Sequence, residues 1–241
     1  MKQEIHTFEI WDAFEAKTDC PICDIQSNLE KSYTSGLFRD MAMDNEFCNY
    51  LKDSRFCSRH LNSLFNYRDK FSLALIINKM LSFEIAELEA SQIRKSDVET
   101  QRTAFQAWIE KFITPAAPKS YKKDEKQYSC HLCSYIEERM EDYVATLIDL
   151  WKNNLSFRAL YYVGNGFCHQ HFYQIVNNAK KELKDEELDN FLYTTFRIQQ
   201  ESMKKLNEEL QRFIKKFNYH YRDESWGSSK DSLARCISKM K

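Results

Sequence analysis

Glycine and proline are scarce, with 4 and 3 in 241 residues, where ordinary usage would give roughly 17 and 12. A sheet-rich fold with many tight turns needs more of both, so the shortage points to long helices. Long apolar runs are missing too. The longest, residues 73–77, is far too short to cross a bilayer, so no membrane partner is expected. The opening residues Met1-Lys2-Gln3-Glu4-Ile5-His6 carry no apolar signal-peptide segment, which makes a cytoplasmic protein the expectation. Positive charge is not in surplus either. The formal net charge is −1, whereas general nucleic-acid binders rest on an excess of Lys and Arg. No paired acid and base and no nucleophile motif is found, so no residue is assigned to catalysis and enzyme status stays open.

What the chain does hold is a soluble globular balance, 29% charged and 43% hydrophobic, and eight cysteines in a pattern. Cys20-Pro21-Ile22-Cys23 is followed after 33 residues by Cys57-Ser58-Arg59-His60. Cys130-His131-Leu132-Cys133 is followed after 34 residues by Cys168-His169-Gln170-His171. Three thiols and an imidazole in each constellation suit a four-coordinate zinc ion, and in a reducing compartment paired cysteines more often hold metal than form disulfides. The expected ligands are Cys20, Cys23, Cys57 and His60 for one ion, and Cys130, Cys133, Cys168 and His171 for the other. Each ion would clamp its own helical hairpin, and two Zn2+ are the expected cofactors, with an iron–sulfur cluster the less favoured tenant. His171 aligns with His60 and His169 with Ser58, so His171 is taken as the ligand. His131 stands in the place of Pro21 and is not expected to bind. Lys17, Arg55 and Arg59 lie close enough in sequence to offset the negative charge of three thiolates. Cys48 and Cys236 have no partner in the pattern and read as spectators. A thioredoxin-like role for the first CxxC lacks the βαβ context that it needs.

In chain order, a short amphipathic lead-in over 1–19 offers Ile5, Phe8, Trp11 and Phe14, or Ile10 and Phe14, at helical spacing. Ile25, Leu29, Tyr33 and Leu37 predict a helix from Asp24. A short helix over 44–53 turns Phe47 and Leu51 inward, and a third opens at Phe56-Cys57 with Leu61, Leu64 and Phe65. Phe71, Leu75, Met80, Phe83 and Leu88 mark a longer helix. The S-x-x-E pattern Ser96-Asp97-Val98-Glu99 predicts a break before a new helix carrying Phe105, Trp108, Ile109 and Phe112. Residues 114–129 read as an exposed linker with Pro115, Pro118 and a run of lysines. The second half then repeats the first. Tyr143 stands to Cys133 as Tyr33 to Cys23, Phe157 matches Phe47, and Phe167-Cys168 matches Phe56-Cys57. Residues 185–217 read as one long helix through Leu188, Phe191, Leu192, Phe196, Met203, Leu206, Leu210 and Phe213. The tail has no counterpart in the first half; its 218–227 stretch is over-furnished for a loop, and a short helix after it carries Leu233, Ile237 and Met240 on one side.

The expected fold is all-α, built as tandem duplicated helical units each with a CxxC…CxxH zinc site: 1–113, a linker over 114–129, and 130–241 with the tail. The C-P-x-C and F-C-x-x-H pairs, with the tail F-x-Y-x-x-x-D-E-x-W-G-x-S-K-D-S-x-x-R over 217–235, resemble an uncharacterised bacterial domain-of-unknown-function family, number six thousand and sixty-two. The resemblance covers nearly the whole chain. It implies cysteine and histidine ligands at the eight positions named above, and it supplies no activity. The function expected is therefore a zinc-binding helical scaffold or adaptor with a structural metal and a protein partner, from which the 218–241 tail could be removed without unfolding. A thiolate-based redox or metal sensor is the alternative. A nucleic-acid-binding module through Lys204, Lys205, Arg212, Lys215 and Lys216 ranks last, because Glu201, Glu208 and Glu209 interleave them.

Overall fold

A computed structural model describes residues 2–99, 128–221 and 224–241. The protein is all-α. Its helices are α1 (Lys2–Glu15), α2 (Pro21–Arg39), α3 (Asn45–Tyr50), α4 (Ser58–Phe65), α5 (Lys70–Glu99), α6 (His131–Asn153), α7 (Leu155–Tyr162), α8 (His169–Glu182), α9 (Asp185–Lys215) and α10 (Ser232–Lys239). Two-residue strands, β1 (Ser54–Arg55) and β2 (Ser129–Cys130), pair in parallel with Ser54 opposite Ser129 and Arg55 opposite Cys130. Among the described residues no helix is long and apolar enough to cross a membrane.

Two compact units divide the chain, and not at the expected linker. The first unit is Met1–Lys31 with Tyr135–Lys241; the second is Ser32–Ser134. Both boundaries fall inside long helices, α2 and α6. Of the expected linker, residues 114–127 lie outside the described residues, as do the expected 105–112 face and part of the tail motif at 222–223. Ser129 is in a strand, and Tyr128 donates from its hydroxyl to Glu87 at 2.5 Å.

The core of the first unit is aromatic. Phe157 and Tyr161 on α7 meet Trp11 and Phe14 on α1, with Phe157 edge-on to Trp11 at 5.4 Å and to Phe14 at 5.1 Å. Trp151 stands edge-on to Phe191 at 4.9 Å. Inside this apolar setting the Tyr161 hydroxyl shares a 2.8 Å hydrogen bond with Thr195 Oγ1, and burial pushes the phenol pKa up. In the second unit Phe38 stacks on Tyr67 at 4.8 Å, and Leu51, Leu64, Leu73 and Ile76 are buried. There Asp44 caps α3, accepting from the Glu46 backbone N–H at 2.8 Å.

On α1 the Ile10 and Phe14 alternative is the one observed, with Ala13 buried beside them and Phe8 73% exposed. Other helix faces are rotated from their expected position. On α5, Leu73 and Ile76 go inward and Phe71 and Leu88 outward. α5 also runs unbroken through Ser96–Glu99: a capping sequence breaks a helix only where the chain must turn, and within a continuous helix it is an ordinary polar stretch. On α9 the inward row is Phe191, Thr195, Ile198, Gln199 and Leu206, while Phe196 is half exposed.

Phe157 is fully buried, so Phe157→Ala should lower the stability of the first unit by about 3–5 kcal/mol. Phe8→Ala, on the exposed side of α1, should stay within about 0.5 kcal/mol. Denaturant melts of the two variants measure both.

Candidate metal centres

All four ligand pairs, two Cys–Cys and two Cys–His, lie at helix N-termini. Cys20 precedes Pro21, which occupies the first helical position, where its missing N–H costs nothing and its fixed φ suits the turn; Cys23 follows on the first turn of α2, its N–H bonded to the Cys20 carbonyl at 3.0 Å. Cys130 and Cys133 sit in the same way at the start of α6. Cys57 and Cys168 are the residues just before α4 and α8, with nearly identical extended backbones, φ −71° and ψ 163° in one and φ −69° and ψ 165° in the other. His60 and His171 follow on the first turn.

The side chains converge in two groups, and each group joins a CxxC from one half of the chain to the CxxH of the other. Cys20, Cys23, Cys168 and His171 form the first quartet, within the first unit; Cys57, His60, Cys130 and Cys133 form the second, within the second unit. In each, the four ligand atoms lie within 4.8 Å of one another. The expectation that each CxxC meets the CxxH of its own half is thus overturned. The reason lies in which segments pair next to each CxxH, which spacing along the chain does not report. In the second unit the β1–β2 pairing then sets Cys57 beside Cys130, with Ser54 Oγ donating to the Ser129 carbonyl at 3.3 Å. In the first unit Asn165 takes the matching place, its amide donating to the Lys17 carbonyl at 2.6 Å.

A tetrahedral ion with thiolates at about 2.3 Å and an imidazole at about 2.0 Å requires sulfurs about 3.8 Å apart and sulfur–nitrogen edges of about 3.5 Å. His171 Nδ1 lies 3.6 Å from Cys20 Sγ, 3.3 Å from Cys23 Sγ and 3.2 Å from Cys168 Sγ, and Cys23 and Cys168 are 3.5 Å apart. His60 Nδ1 lies 3.4 Å from Cys57 Sγ, 3.2 Å from Cys130 Sγ and 3.4 Å from Cys133 Sγ; Cys57 and Cys133 are 3.9 Å apart. Both quartets match those edges within a few tenths of an ångström, so each can hold one metal ion. His169 is elsewhere, edge-on to Tyr173 at 4.9 Å. His131 is packed among Tyr33, Phe47, Tyr50 and Phe56 at 4.9–6.4 Å, where burial lowers its pKa. Cys48 donates to the Ala42 carbonyl at 3.6 Å and, like Cys236, belongs to neither group.

Proton sharing inside the quartets shows the same need for a cation. Hydrogen bonds from Cys20 and Cys23 hold the Cys168 thiol far below its ordinary range. Sharing with Cys168 and Cys20 pushes Cys23 far above its own. Burial works against the charged form of His171, but bonds to Cys168 and Cys20 outweigh it and lift the imidazole to about 9. In the second quartet burial and Cys130 push Cys133 up to about 12. Burial also raises Cys57, but the backbone N–H of His60, the Cys130 thiol and the Arg59 N–H outweigh it and hold Cys57 below its ordinary value. Four donors facing one point cannot all lose their protons unless a positive ion takes the protons' place.

The basic residues expected near the first-half ligands divide. Arg59 reaches His60 Nε2 at 2.9 Å. Arg55 is spent on Glu84 and Glu87 and lies over the Tyr128 ring at 3.7 Å. Lys17 contributes only its carbonyl. The cation that does serve the first quartet, Lys239, comes from the tail. It is 2% exposed, and its Nζ donates to the Asp19 and Asn165 carbonyls at 2.5 and 2.6 Å. Burial lowers its pKa against the pull of Cys20, Asp19 and Cys168. The tail, expected to be removable without unfolding, is thus bonded to the backbone at Asp19, next to Cys20, and at Asn165, three residues ahead of Cys168. Gln199 is the other residue not anticipated: it clamps the backbone ahead of Cys168, accepting from the Phe167 N–H at 2.8 Å and donating to the Phe167 carbonyl at 2.9 Å. Gly166 makes room for it, with φ +72° and a position where a Cβ would stand 2.6 Å from Gln199 Oε1. A polar residue two turns after Phe191 on an inward helix row was the available signal.

Gln199→Leu should destabilise the first unit by about 1–3 kcal/mol for each Phe167 backbone group left without a partner. Gln199→Glu, which keeps the acceptor, should cost less. Denaturant unfolding of the two variants makes the comparison.

No curated protein and no solved structure matches the chain. One family model does, over residues 1–241, and by that match the chain belongs to a family of unknown function (DUF6062).

Proposed function

We propose that the protein is a zinc-dependent helical scaffold in which the ligands are Cys20, Cys23, Cys168 and His171 for one ion and Cys57, His60, Cys130 and Cys133 for the other. The observation that carries this reading is the convergence of eight donors, drawn from four distant helix starts, into two Cys3His groups at tetrahedral spacing. Three protein thiolates and an imidazole leave no ligand position for substrate, which favours a structural metal over a catalytic one. Zinc suits the donor set, since thiolate and imidazole in a tetrahedron select it over hard cations. Binding free energy of about 10 kcal/mol or more per ion then becomes folding free energy. All eight cysteines are free thiols, which fits a reducing compartment, and we place the protein in the cytoplasm. A protein partner completes the adaptor reading. What supports it is α10, which buries Ser232 and Lys239 and turns Leu233, Ile237 and Met240 outward, the reverse of an ordinary surface helix.

Elemental analysis of the purified chain should find two zinc ions and no iron. Cys20→Ser with Cys168→Ser should remove one ion and leave the other, while Cys20→Ser with Cys57→Ser should remove both. Pairing within each half would give the opposite result. Chelation should melt the helical circular dichroism signal of the wild-type protein.

A further inference from the structure

The two quartets are chemically unequal. In the first, Cys20, Cys168 and His171 are 6%, 2% and 3% exposed. The tail closes over them. Lys239 bonds the carbonyls of the residue before Cys20 and of Asn165, three before Cys168. The Lys241 carbonyl accepts from the Gln170 N–H at 3.0 Å. Arg235 fixes the tail through Glu209 at 2.8 Å and Asp19 at 3.1 Å. The second quartet has no such cover among the described residues of its unit. Its histidine is buried, but Cys57, Cys130 and Cys133 all keep part of their surface in solvent. The cation beside it, Arg59, is an exposed residue touching the imidazole, whereas Lys239 is a buried one bonded to the backbone at Asp19 and Asn165.

That difference decides reactivity. A zinc ion with three thiolates and a neutral imidazole carries one net negative charge, and the sulfurs remain nucleophilic. An ammonium held in a dry pocket next to the sulfurs offsets that charge, and burial denies an oxidant its line of approach. In the first quartet the tail and Lys239 protect Cys20 and Cys168, with Cys23 alone of its thiols part-exposed; in the second all three thiols keep part of their surface in solvent.

We propose that the second quartet is a thiol-oxidation site for hydroperoxides, at which a Cys57–Cys133 disulfide forms and the ion is expelled while the first quartet keeps its own. This rests on the zinc reading above. A thiolate sulfur of the pair attacks the peroxide oxygen, breaking the O–O bond to give a sulfenic acid and hydroxide. The second thiolate, 3.9 Å away, attacks the sulfenic sulfur, forms the S–S bond and releases a second hydroxide. Two protons from solvent convert the hydroxides to water. The sulfurs lose two electrons and the peroxide gains them. The ion, left with His60 and Cys130, departs.

The test titrates the zinc-loaded full chain with hydrogen peroxide, follows released zinc with a chromogenic chelator and maps disulfides by peptide mass spectrometry. One equivalent of zinc should leave, with a Cys57–Cys133 bridge and Cys20, Cys23 and Cys168 still alkylatable. In Lys239→Met, which removes the buried charge, the second equivalent should follow. Loss of both ions together from the wild type, oxidation of the first quartet before the second, or a Cys130–Cys133 bridge overturns the proposal. A purified chain without zinc defeats the scaffold reading instead, and disulfide mapping of that chain still reads the unequal reactivity of the two quartets.

Discussion

The meeting of three thiols and an imidazole at each of two points organises the whole molecule. Each CxxC opens a long helix, α2 or α6, and each CxxH arrives only after that helix and one short one have been traversed. Within each unit the donors of one half end up beside those of the other. Each quartet is therefore completed by residues far apart in sequence, 145 positions between Cys23 and Cys168 and 76 between Cys57 and Cys133. Such closure has a cost in loop entropy and slows folding. It also means that neither copy of the repeated pattern owns a full donor set: the second quartet lies within the contiguous stretch Ser32–Ser134, and that stretch separates the two sequence segments of the first unit.

Electrostatics follows from the same arrangement. Helix N-termini present free N–H groups and a partial positive charge, and four such ends are aimed pairwise at the two quartets. Bonds from Cys20 and Cys23, with a smaller share from the His171 backbone N–H, lower Cys168; at Cys57 burial is opposed by the His60 backbone N–H and the Cys130 thiol, which together hold it below its ordinary value. The raised partners, Cys23 and Cys133, hold the protons that remain. A dication replaces those protons and leaves a single net negative charge. In the first unit Lys239 stands ready for that residue of charge.

Much of this was legible in the residues alone. The donor identities came from spacing, since CxxC and CxxH each put two ligand atoms on one helical turn, and all eight fall in one or other of the two groups of four. Helical class followed from scarce glycine and proline. The pairing between halves was not legible, because spacing reports which donors are neighbours along the chain and says nothing of which segments pair next to each CxxH. Rotated or undecided faces have a different cause: on α1, α5 and α9 aromatic residues recur on more than one row, so periodicity could not distinguish Ile10 from Phe8 or Ile76 from Phe71. Gln199 and Lys239 were missed because polar residues on an inward row look like errors in an apolar pattern until the backbone groups that they satisfy are in view.

The tail shows why a segment over-furnished for a loop need not be a loop. Read by itself, the 218–227 stretch is aromatic, charged and aperiodic. In place, the hydroxyls and the guanidinium that follow it are partnered: Ser228 donates to Glu209 at 3.0 Å, Ser229 to the Trp226 carbonyl at 2.5 Å, Ser232 to the Ser229 carbonyl at 2.7 Å, and Arg235 joins Glu209 to Asp19. Gly227, at φ +51°, permits the turn that starts this run. The bonds fix α10 with its polar side inward, and only that orientation delivers the Lys239 ammonium to the first quartet. An apolar inner face would have packed as well and left the thiolates' charge without a counterpart. The outward apolar stripe of Leu233, Ile237 and Met240 is the consequence: eight residues cannot turn their polar side to a charged centre and their apolar side to the same place.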